Sequence, residues 1–324
     1  MILTYTLFIV GFVILIKSAD WLVDGAASIA KRYAIPELVI GLTIVSFGTS
    51  MPELIVNVLA SLNGNSELAI GNIFGSNIAN ILLILGASAL IRPLPIQKSI
   101  YYTEIPISLL ATFMVGFLAN ANLFGKSAGL AISRLDGLLL LLFFGLFMTY
   151  IYVVSKDKRD DLYKPDEESE MEMMPMVKSL TLIAIGLFGL FIGGKWIVDG
   201  AVVIAQSFGL SESFIGLTII AVGTSLPELV TSVMASKKGR ADMAIGNVIG
   251  SNIFNIFWIL GLSASIKALP FNELNNDDIL MLIFSNTVLI FAVINGKRPA
   301  ISRFEGLVFV VMYFAYLTYL VLRG

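Results

Sequence analysis

The chain has 324 residues, 57% of them hydrophobic and 14% charged, with a formal net charge of −2 at pH 7. A soluble domain could not cover so apolar a chain with polar surface, so the composition predicts a membrane protein. The chain contains no cysteine and no histidine, which excludes disulfides, thiolate or imidazole catalysis and any metal site built from Cys or His. There is no basic stripe for nucleic acid, and no obligatory protein partner is evident.

Long apolar runs separated by short polar segments predict ten membrane-spanning helices, because each span needs about 20 mostly apolar residues. In chain order the runs cover residues 2–30, 37–62, 67–91, 99–119, 134–154, 178–206, 212–236, 242–268, 277–295 and 302–322. The first run has neither a positively charged leader nor a cleavage site, so we expect a retained helix rather than a signal peptide. The predicted fold class is an all-α, multi-pass protein of the lipid bilayer.

Residues 155–177 form the one long polar segment of the sequence, with a dense mixture of charges of both signs. Such a composition is typical of a solvated linker. The linker divides the chain into two predicted five-helix domains, residues 1–154 and 178–324. We expect it to be cytoplasmic.

The two domains repeat one another at a fixed offset of 175 residues. The offset aligns DWLVDGA (20–26) with KWIVDGA (195–201), IGLTIVSFGTSMPELIVNVLAS (40–61) with IGLTIIAVGTSLPELVTSVMAS (215–236), and AIGNIFGSNIANILLILGASA (69–89) with AIGNVIGSNIFNIFWILGLSA (244–264). Matched Pro, Glu, Asn and Ser positions argue against a chance likeness between apolar segments. Each repeat contains five predicted helices, an odd number, so the second repeat is expected to cross the membrane in the opposite orientation.

The distribution of Lys and Arg predicts how the chain is oriented. With the N-terminus outside, the cytoplasmic loops would hold fifteen Lys and Arg residues, and the loops on the other side would hold four. The positive-inside rule therefore favours an N-out, C-out arrangement. We expect the membrane to be the plasma membrane of a prokaryote.

A proline followed by a glutamate interrupts the second and the seventh apolar run. Pro52 and Pro227 lack the N–H that would bond the carbonyl four residues back, so carbonyls are released around residues 46–48 and 221–223. Within a membrane, released carbonyls are tolerated only where they line a cavity or find another partner. The alternative is a plain kink in which Thr and Ser hydroxyls bond to these carbonyls, but two equivalent copies favour a site.

The two glutamates, Glu53 and Glu228, are costly at membrane depth, at about 3 kcal/mol each. No Lys or Arg occurs in the aligned segments around them, so neutralisation requires protonation or a bound cation. Two carboxylates carry a charge that one Ca²⁺ or two Na⁺ would neutralise. Carbonyl, hydroxyl and amide oxygens would complete a shell that suits Ca²⁺ better than Mg²⁺.

The third and eighth runs add further polar residues, in GNIFGSNIAN and GNVIGSNIFN. Asn80 lies four residues after Ser76, and Asn255 lies four after Ser251, so each pair shares one helical face. Glycines at every fourth position of these runs are expected to serve helix packing, and they are Gly71, Gly75, Gly246 and Gly250.

Charged residues near the ends of the first and sixth runs have a structural explanation. Lys17 with Asp20, and Lys195 with Asp199, have the spacing of local ion pairs. Asp24 and Asp199 occupy equivalent positions in the two repeats, but we do not assign them to the ion site.

These motifs resemble the two α-repeats of the calcium/cation antiporter superfamily, specifically its sodium/calcium exchanger branch. The resemblance rests on GTSMPE, GTSLPE, GNIFGSNIAN and GNVIGSNIFN and covers the chain apart from the linker. The proton/calcium exchanger branch is less similar, because it has Asn-containing segments where Gly-Thr-Ser stands here. The resemblance implies an antiporter that exchanges Na⁺ for Ca²⁺ without a cofactor, and not an enzyme. A proton/Ca²⁺ exchanger and a passive cation channel are the alternatives.

The resemblance also implies which residues bind the ions. Glu53 and Glu228 would be the central carboxylates shared by Ca²⁺ and Na⁺. The other oxygens would come from Thr49, Thr224, Ser50, Ser225, the carbonyls of Ser46 and Ala221, Ser76, Ser251, Asn80 and Asn255. Some members, including potassium-dependent ones, have Asp at the position of Asn255, so the amide here favours potassium-independent exchange.

Alternating access, with the two ions competing for the same oxygens, is the mechanism we expect. An empty pair of anions would be too costly to occlude, so only a neutralised site would cross the membrane. The long first and sixth helices lack ligand motifs, and we expect them to be the elements that slide.

Overall fold

The computed structural model describes residues 2–121, 130–156, 173–207, 221–294 and 299–323. The helices are α1 Ile2–Tyr33, α2 Glu37–Thr49, α3 Met51–Asn63, α4 Ser66–Ile91, α5 Ile100–Asn120, α6 Arg134–Lys156, α7 Met176–Ser207, α8 Ala221–Thr224, α9 Leu226–Lys237, α10 Ala241–Ile266, α11 Asn275–Ile294 and α12 Arg303–Arg323. The strands are β1 Leu94–Pro95, β2 Ala131–Ile132, β3 Leu269–Pro270 and β4 Ala300–Ile301. The prediction of a mostly helical membrane fold is confirmed.

Eight of the described helices are long and apolar enough to cross a membrane. Helices α2 and α3 together would form a ninth span, which is bent by 48°. The predicted helix 212–236 begins outside the described residues, and most of the predicted linker 155–177 also lies outside them. The ten-helix layout and the division into two domains therefore stay predictions.

The first helices of the two repeats, α1 and α7, pack closely against each other. A Cβ atom at Gly11 would lie 3.0 Å from the carbonyl oxygen of Gly193, and one at Gly25 would lie 2.7 Å from that of Ser179. Residue numbers rise along α1 as they fall along α7, so the two helices are antiparallel. Both contacts need glycine because the backbones approach too closely for a side chain.

Helices α4 and α10 form the centre of the molecule, since 78% of the apolar window of α4 and 94% of that of α10 are buried. They cross where Asn77 and Asn252 meet, and each side-chain amide donates to the other's main-chain carbonyl, at 3.2 and 3.4 Å. A tight turn precedes each helix. Gly64 and Gly239 both have φ of 78°, a left-handed conformation that glycine adopts without strain.

Two antiparallel ribbons, which the sequence analysis did not predict, join the two repeats. Strand β1 pairs with β4, with Leu94 opposite Ile301, and β2 pairs with β3, with Ile132 opposite Leu269. Leu94 and Leu269 are separated by the repeat offset, so the two ribbons occupy equivalent positions. Each ribbon ties a loop of one repeat to a loop of the other.

Close helix packing at the second pair of repeated glycines is confirmed. A Cβ atom at Gly246 would lie 2.7 Å from the carbonyl oxygen of Leu38 in α2, and Gly250 faces the same helix. No described residue of another helix lies within 4 Å of the corresponding positions at Gly71 and Gly75. The segment of the second repeat that is equivalent to α2 lies largely outside the described residues.

One predicted ion pair is confirmed and the other is wrong. Lys195 Nζ lies 2.7 Å from Asp199 Oδ2, as their spacing indicates. Asp20, however, pairs with Lys238 at the end of α9, at 2.6 Å, and not with Lys17. The long Lys238 side chain reaches α1 from the neighbouring helix, a contact that local spacing along α1 cannot reveal.

Candidate cation site

The two proline motifs break their helices at equivalent points. Ser50 separates α2 from α3 with φ −82° and ψ 8°, and Ser225 separates α8 from α9 with φ −86° and ψ 5°. Pro52 and Pro227 lie in the first turn of the helix that follows, where a missing N–H costs least. Each break therefore places the hydroxyl and carboxyl side chains of its motif at an interruption inside the protein.

The carbonyl of Ser46 is less free than the sequence analysis expected. It accepts a hydrogen bond from the N–H of Ser50 at 3.0 Å, and the hydroxyl of Thr49 lies 3.3 Å from it. This contact between a threonine hydroxyl and a released carbonyl is the one predicted by the alternative of a plain proline kink. The equivalent residue, Ala221, is the first residue of α8. The backbone at the helix break therefore forms some of its own hydrogen bonds, and most of the unpaired oxygen atoms belong to side chains.

Glu53 and Glu228 are both buried, with 1% of each residue exposed. The hydroxyl of Ser50 donates to Oε1 of Glu228 at 3.0 Å, and that of Ser225 donates to Oε1 of Glu53 at 3.3 Å. These two bonds are equivalent under the repeat offset. Each carboxylate is therefore held by a serine of the other repeat.

Two asparagines that the sequence analysis did not assign to the site hold its threonines. The hydroxyl of Thr49 lies 3.1 Å from Oδ1 of Asn247, and that of Thr224 lies 3.2 Å from Oδ1 of Asn72. The contacts are again equivalent under the repeat offset. The signal was present, because both asparagines stand in the aligned GNxxGSNxxN motifs.

The serines of α4 and α10 lie beside the same carboxylates. Ser76 Oγ lies 3.1 Å from Ser225 Oγ, and Ser225 in turn donates to Glu53. The hydroxyl of Ser225 therefore connects Ser76 of α4 to the carboxyl group of Glu53. Ser251 is fully buried close to the carboxyl group of Glu228, but its hydroxyl forms no hydrogen bond with a described residue. Both predicted serines therefore belong to the cluster.

Five buried oxygens of the predicted ligands have no hydrogen-bond partner among the described residues. They are Oε2 of Glu53, Oε2 of Glu228, Oδ1 of Asn80, Oδ1 of Asn255 and Oγ of Ser251. None of the ion pairs within the described part of the chain includes either glutamate. Buried acceptors without a donor are costly, and a hard cation that prefers oxygen ligands would remove that cost.

Comparison with known proteins identifies the family of the chain. The family model for the sodium/calcium exchanger protein matches residues 3–153 and 178–322. The sodium/calcium exchanger MaX1 of Methanosarcina acetivorans is 34% identical, over 98% of this chain and 98% of the relative. The inner membrane protein YrbG of Escherichia coli strain K12 is 37% identical, over 92% and 90%.

A solved structure is also similar over nearly the whole chain. It is that of the sodium-calcium exchanger NCX_Mj soaked with Na⁺ and Ca²⁺, with 32% identity, a TM-score of 0.82 and coverage of 98% of each chain. The fold, the match across both halves and the relatives' names agree with one another. The chain belongs to the sodium/calcium exchanger protein family, whose members are membrane antiporters of calcium and other cations.

Proposed function

We propose that this protein exchanges Na⁺ for Ca²⁺ across the membrane by alternating access, and that both ions use the oxygens around Glu53 and Glu228. The observation that carries the proposal is the set of five buried, unpartnered oxygens on Glu53, Glu228, Asn80, Asn255 and Ser251. Two of them are carboxylate oxygens, so the set attracts cations. Two are neutral amide oxygens and one is a hydroxyl oxygen, and Ca²⁺ and Na⁺ accept such oxygens as ligands.

The charge of the site explains why loading one ion would expel the other. One Ca²⁺ or two Na⁺ neutralise the two carboxylates, whereas both together would leave the buried site with excess positive charge. An empty pair of buried anions is equally costly. Only the site loaded with one kind of ion would cross a dehydrated barrier, and that restriction couples the two fluxes.

The remaining ligands in this proposal surround the carboxylates. The hydroxyls of Ser50 and Ser225 orient Glu228 and Glu53, as their hydrogen bonds of 3.0 and 3.3 Å indicate. We assign further oxygens to Thr49, Thr224, Ser76, Ser251, Asn80, Asn255 and the carbonyls of Ser46 and Ala221. Of these, the Ser46 carbonyl is the weakest assignment, because it already accepts from the Ser50 N–H at 3.0 Å.

The two repeats would cross the membrane in opposite orientations, with both termini outside. The antiparallel packing of α1 against α7 supports this, because the two helices are the first elements of the repeats. We propose that α1 and α7 slide together past the helices that hold the site. The two relatives named above, which match most of the chain, come from an archaeon and a bacterium, and this supports the plasma membrane of a prokaryote as the location.

Flux measurements in proteoliposomes separate this proposal from its rivals. Sodium, proton and potassium gradients are imposed one at a time, and Ca²⁺ uptake is followed. We expect uptake to follow the sodium gradient and to need no potassium, since Asn255 is an amide. Uptake driven by a proton gradient without sodium would favour a proton/Ca²⁺ exchanger. Ca²⁺ flux with no counter-ion on the opposite side would favour a channel.

A further inference from the structure

Four buried asparagines form a hydrogen-bond network where α4 and α10 cross. Asn77 and Asn80 belong to α4, Asn252 and Asn255 belong to α10, and each is at most 1% exposed. Asn80 Nδ2 donates to Asn252 Oδ1 at 2.9 Å, and Asn255 Nδ2 donates to Asn77 Oδ1 at 2.9 Å. Every one of these bonds links one repeat to the other.

Two main-chain carbonyls fix the orientation of the whole network. The carbonyl oxygens of Asn252 and Asn77 can only accept, and they receive Asn77 Nδ2 at 3.2 Å and Asn252 Nδ2 at 3.4 Å. Each of these two side chains must therefore turn its Oδ1 towards the next amide, which must present its own Nδ2. Asn80 and Asn255 are left with Oδ1 as the side-chain atom that has no described partner.

We propose that Asn77 and Asn252 are positioning residues that set the cation affinity of the site, because they force Asn255 and Asn80 to present oxygen instead of NH₂. The inference rests on the proposed function, in which Asn80 and Asn255 are ion ligands. An amide group is nearly symmetric in shape, but its oxygen binds a cation and its NH₂ repels one. Without the network each amide would populate both orientations, and only one of them binds.

Asn77 and Asn252 act through their neighbours and not by touching the ion. Their Oδ1 atoms already accept from Asn255 and Asn80, and their Nδ2 atoms already donate to main-chain carbonyls. The Oδ1 atom of each side chain is thus already engaged in orienting a neighbouring amide. Replacing Asn77 or Asn252 should therefore affect ion binding only if its neighbour, residue 255 or residue 80, has a side chain with two different ends that must be oriented.

A double-mutant cycle tests that dependence. Asn77→Leu keeps the side-chain volume and removes the acceptor that holds Asn255. Asn255→Asp supplies a carboxylate, which has an oxygen at both ends and needs no orienting partner. Ca²⁺ binding to the purified full chain is measured by calorimetry at one pH, without sodium. We expect N77L to weaken binding about tenfold beside Asn255 and not to weaken it beside Asp at that position.

Equal weakening in both backgrounds would overturn the proposal, since Asn77 would then act only through packing. The equivalent cycle, Asn252→Leu with Asn80→Asp, must give the same pattern, and it decides the question if N77L does not fold. Asn286→Leu is the matched control, because Asn286 is buried in α11 and donates to the Leu282 carbonyl of its own helix at 2.9 Å. A chain that shows the expected cycle but no sodium-driven transport would contradict the proposed function and not this inference.

Discussion

The hydroxyl of Ser50 lies 3.0 Å from Oε1 of Glu228, although 178 residues separate the two along the chain. Its equivalent, the hydroxyl of Ser225, lies 3.3 Å from Oε1 of Glu53. Each carboxylate is therefore oriented by the other repeat. One repeat alone could not build this arrangement, so the site depends on the correct docking of both halves.

Removing either serine hydroxyl should weaken Ca²⁺ binding by a similar factor. Ser50→Ala and Ser225→Ala each remove a hydrogen bond to a carboxylate, and we expect about a tenfold loss of apparent affinity for each. The measurement is Ca²⁺ uptake against external Ca²⁺ concentration in sodium-loaded proteoliposomes. Ser285→Ala is the control, because Ser285 is buried but donates to the Met281 carbonyl of its own helix at 2.7 Å. Loss in only one of the two site variants would contradict the equivalence of the two halves.

A methyl group at Gly246 should destabilise the protein. The added Cβ would lie 2.7 Å from the carbonyl oxygen of Leu38, so α2 would have to move away from α10. We expect Gly246→Ala to lower the free energy of unfolding by about 1–3 kcal/mol. Gly145→Ala is the control, because no described residue of another helix lies within 4 Å of that position. Thermal unfolding of the detergent-purified variants measures the difference, and equal melting temperatures would contradict the packing argument.

The sequence was sufficient for those parts of the site that follow from the local chain. Pro52 and Pro227 predicted the helix breaks, because a missing N–H acts within four residues of itself. Glu53 and Glu228 could be singled out as candidate ligands because no Lys or Arg surrounds them in the sequence. Because each motif occurs twice, the sequence contains two such glutamates, and a pair of carboxylates could bind one ion together.

The contacts between helices could not be predicted in the same way. Asn77 and Asn252 stand in the motifs, but their role depends on where α4 and α10 cross, which spacing along one helix does not fix. The same limit explains the wrong partner for Asp20, since Lys238 follows it by 218 residues. The occupied carbonyl of Ser46 shows a further limit, because the broken backbone forms hydrogen bonds of its own.

Cross-linking should show which helices move together. The chain has no cysteine, so each introduced pair is the sole source of a disulfide. Ser28→Cys with Ser179→Cys would join α1 to α7, where the two hydroxyls are 2.9 Å apart. Val198→Cys with Gly223→Cys would join α7 to α8, since a Cβ at Gly223 would lie 3.5 Å from Val198 Cβ.

If α1 and α7 slide as one unit, oxidation of the first pair should leave Ca²⁺ exchange intact. Oxidation of the second pair should stop it, and a reductant should restore it. Exchange rates are compared in proteoliposomes before oxidation, after oxidation and after reduction. Continued exchange by the fully oxidised second pair would exclude α7 as a sliding element.

The repeat-equivalent aspartates of α1 and α7 should respond differently to neutralisation. Asp24 Oδ1 lies 2.6 Å from Lys238 Nζ, which connects α1 to the end of α9. Asp199 pairs with Lys195 of its own helix and is exposed. We expect Asp24→Asn to change the exchange rate two- to fivefold, roughly the effect of one partly buried ion pair, and Asp199→Asn to leave it unchanged. Equal effects would show that the ion pair between Asp24 and Lys238 does not restrain α1.

The central claim is that Na⁺ and Ca²⁺ share one site built around two carboxylates. The direct test is Ca²⁺ uptake driven by an imposed sodium gradient into vesicles that contain the Glu53→Gln, Glu228→Gln double variant. Both substitutions keep the side-chain size and remove the charge that a cation would neutralise. The account predicts that sodium-driven uptake falls to the level of protein-free vesicles. Sodium-driven Ca²⁺ uptake by the double variant at the wild-type rate would contradict the account.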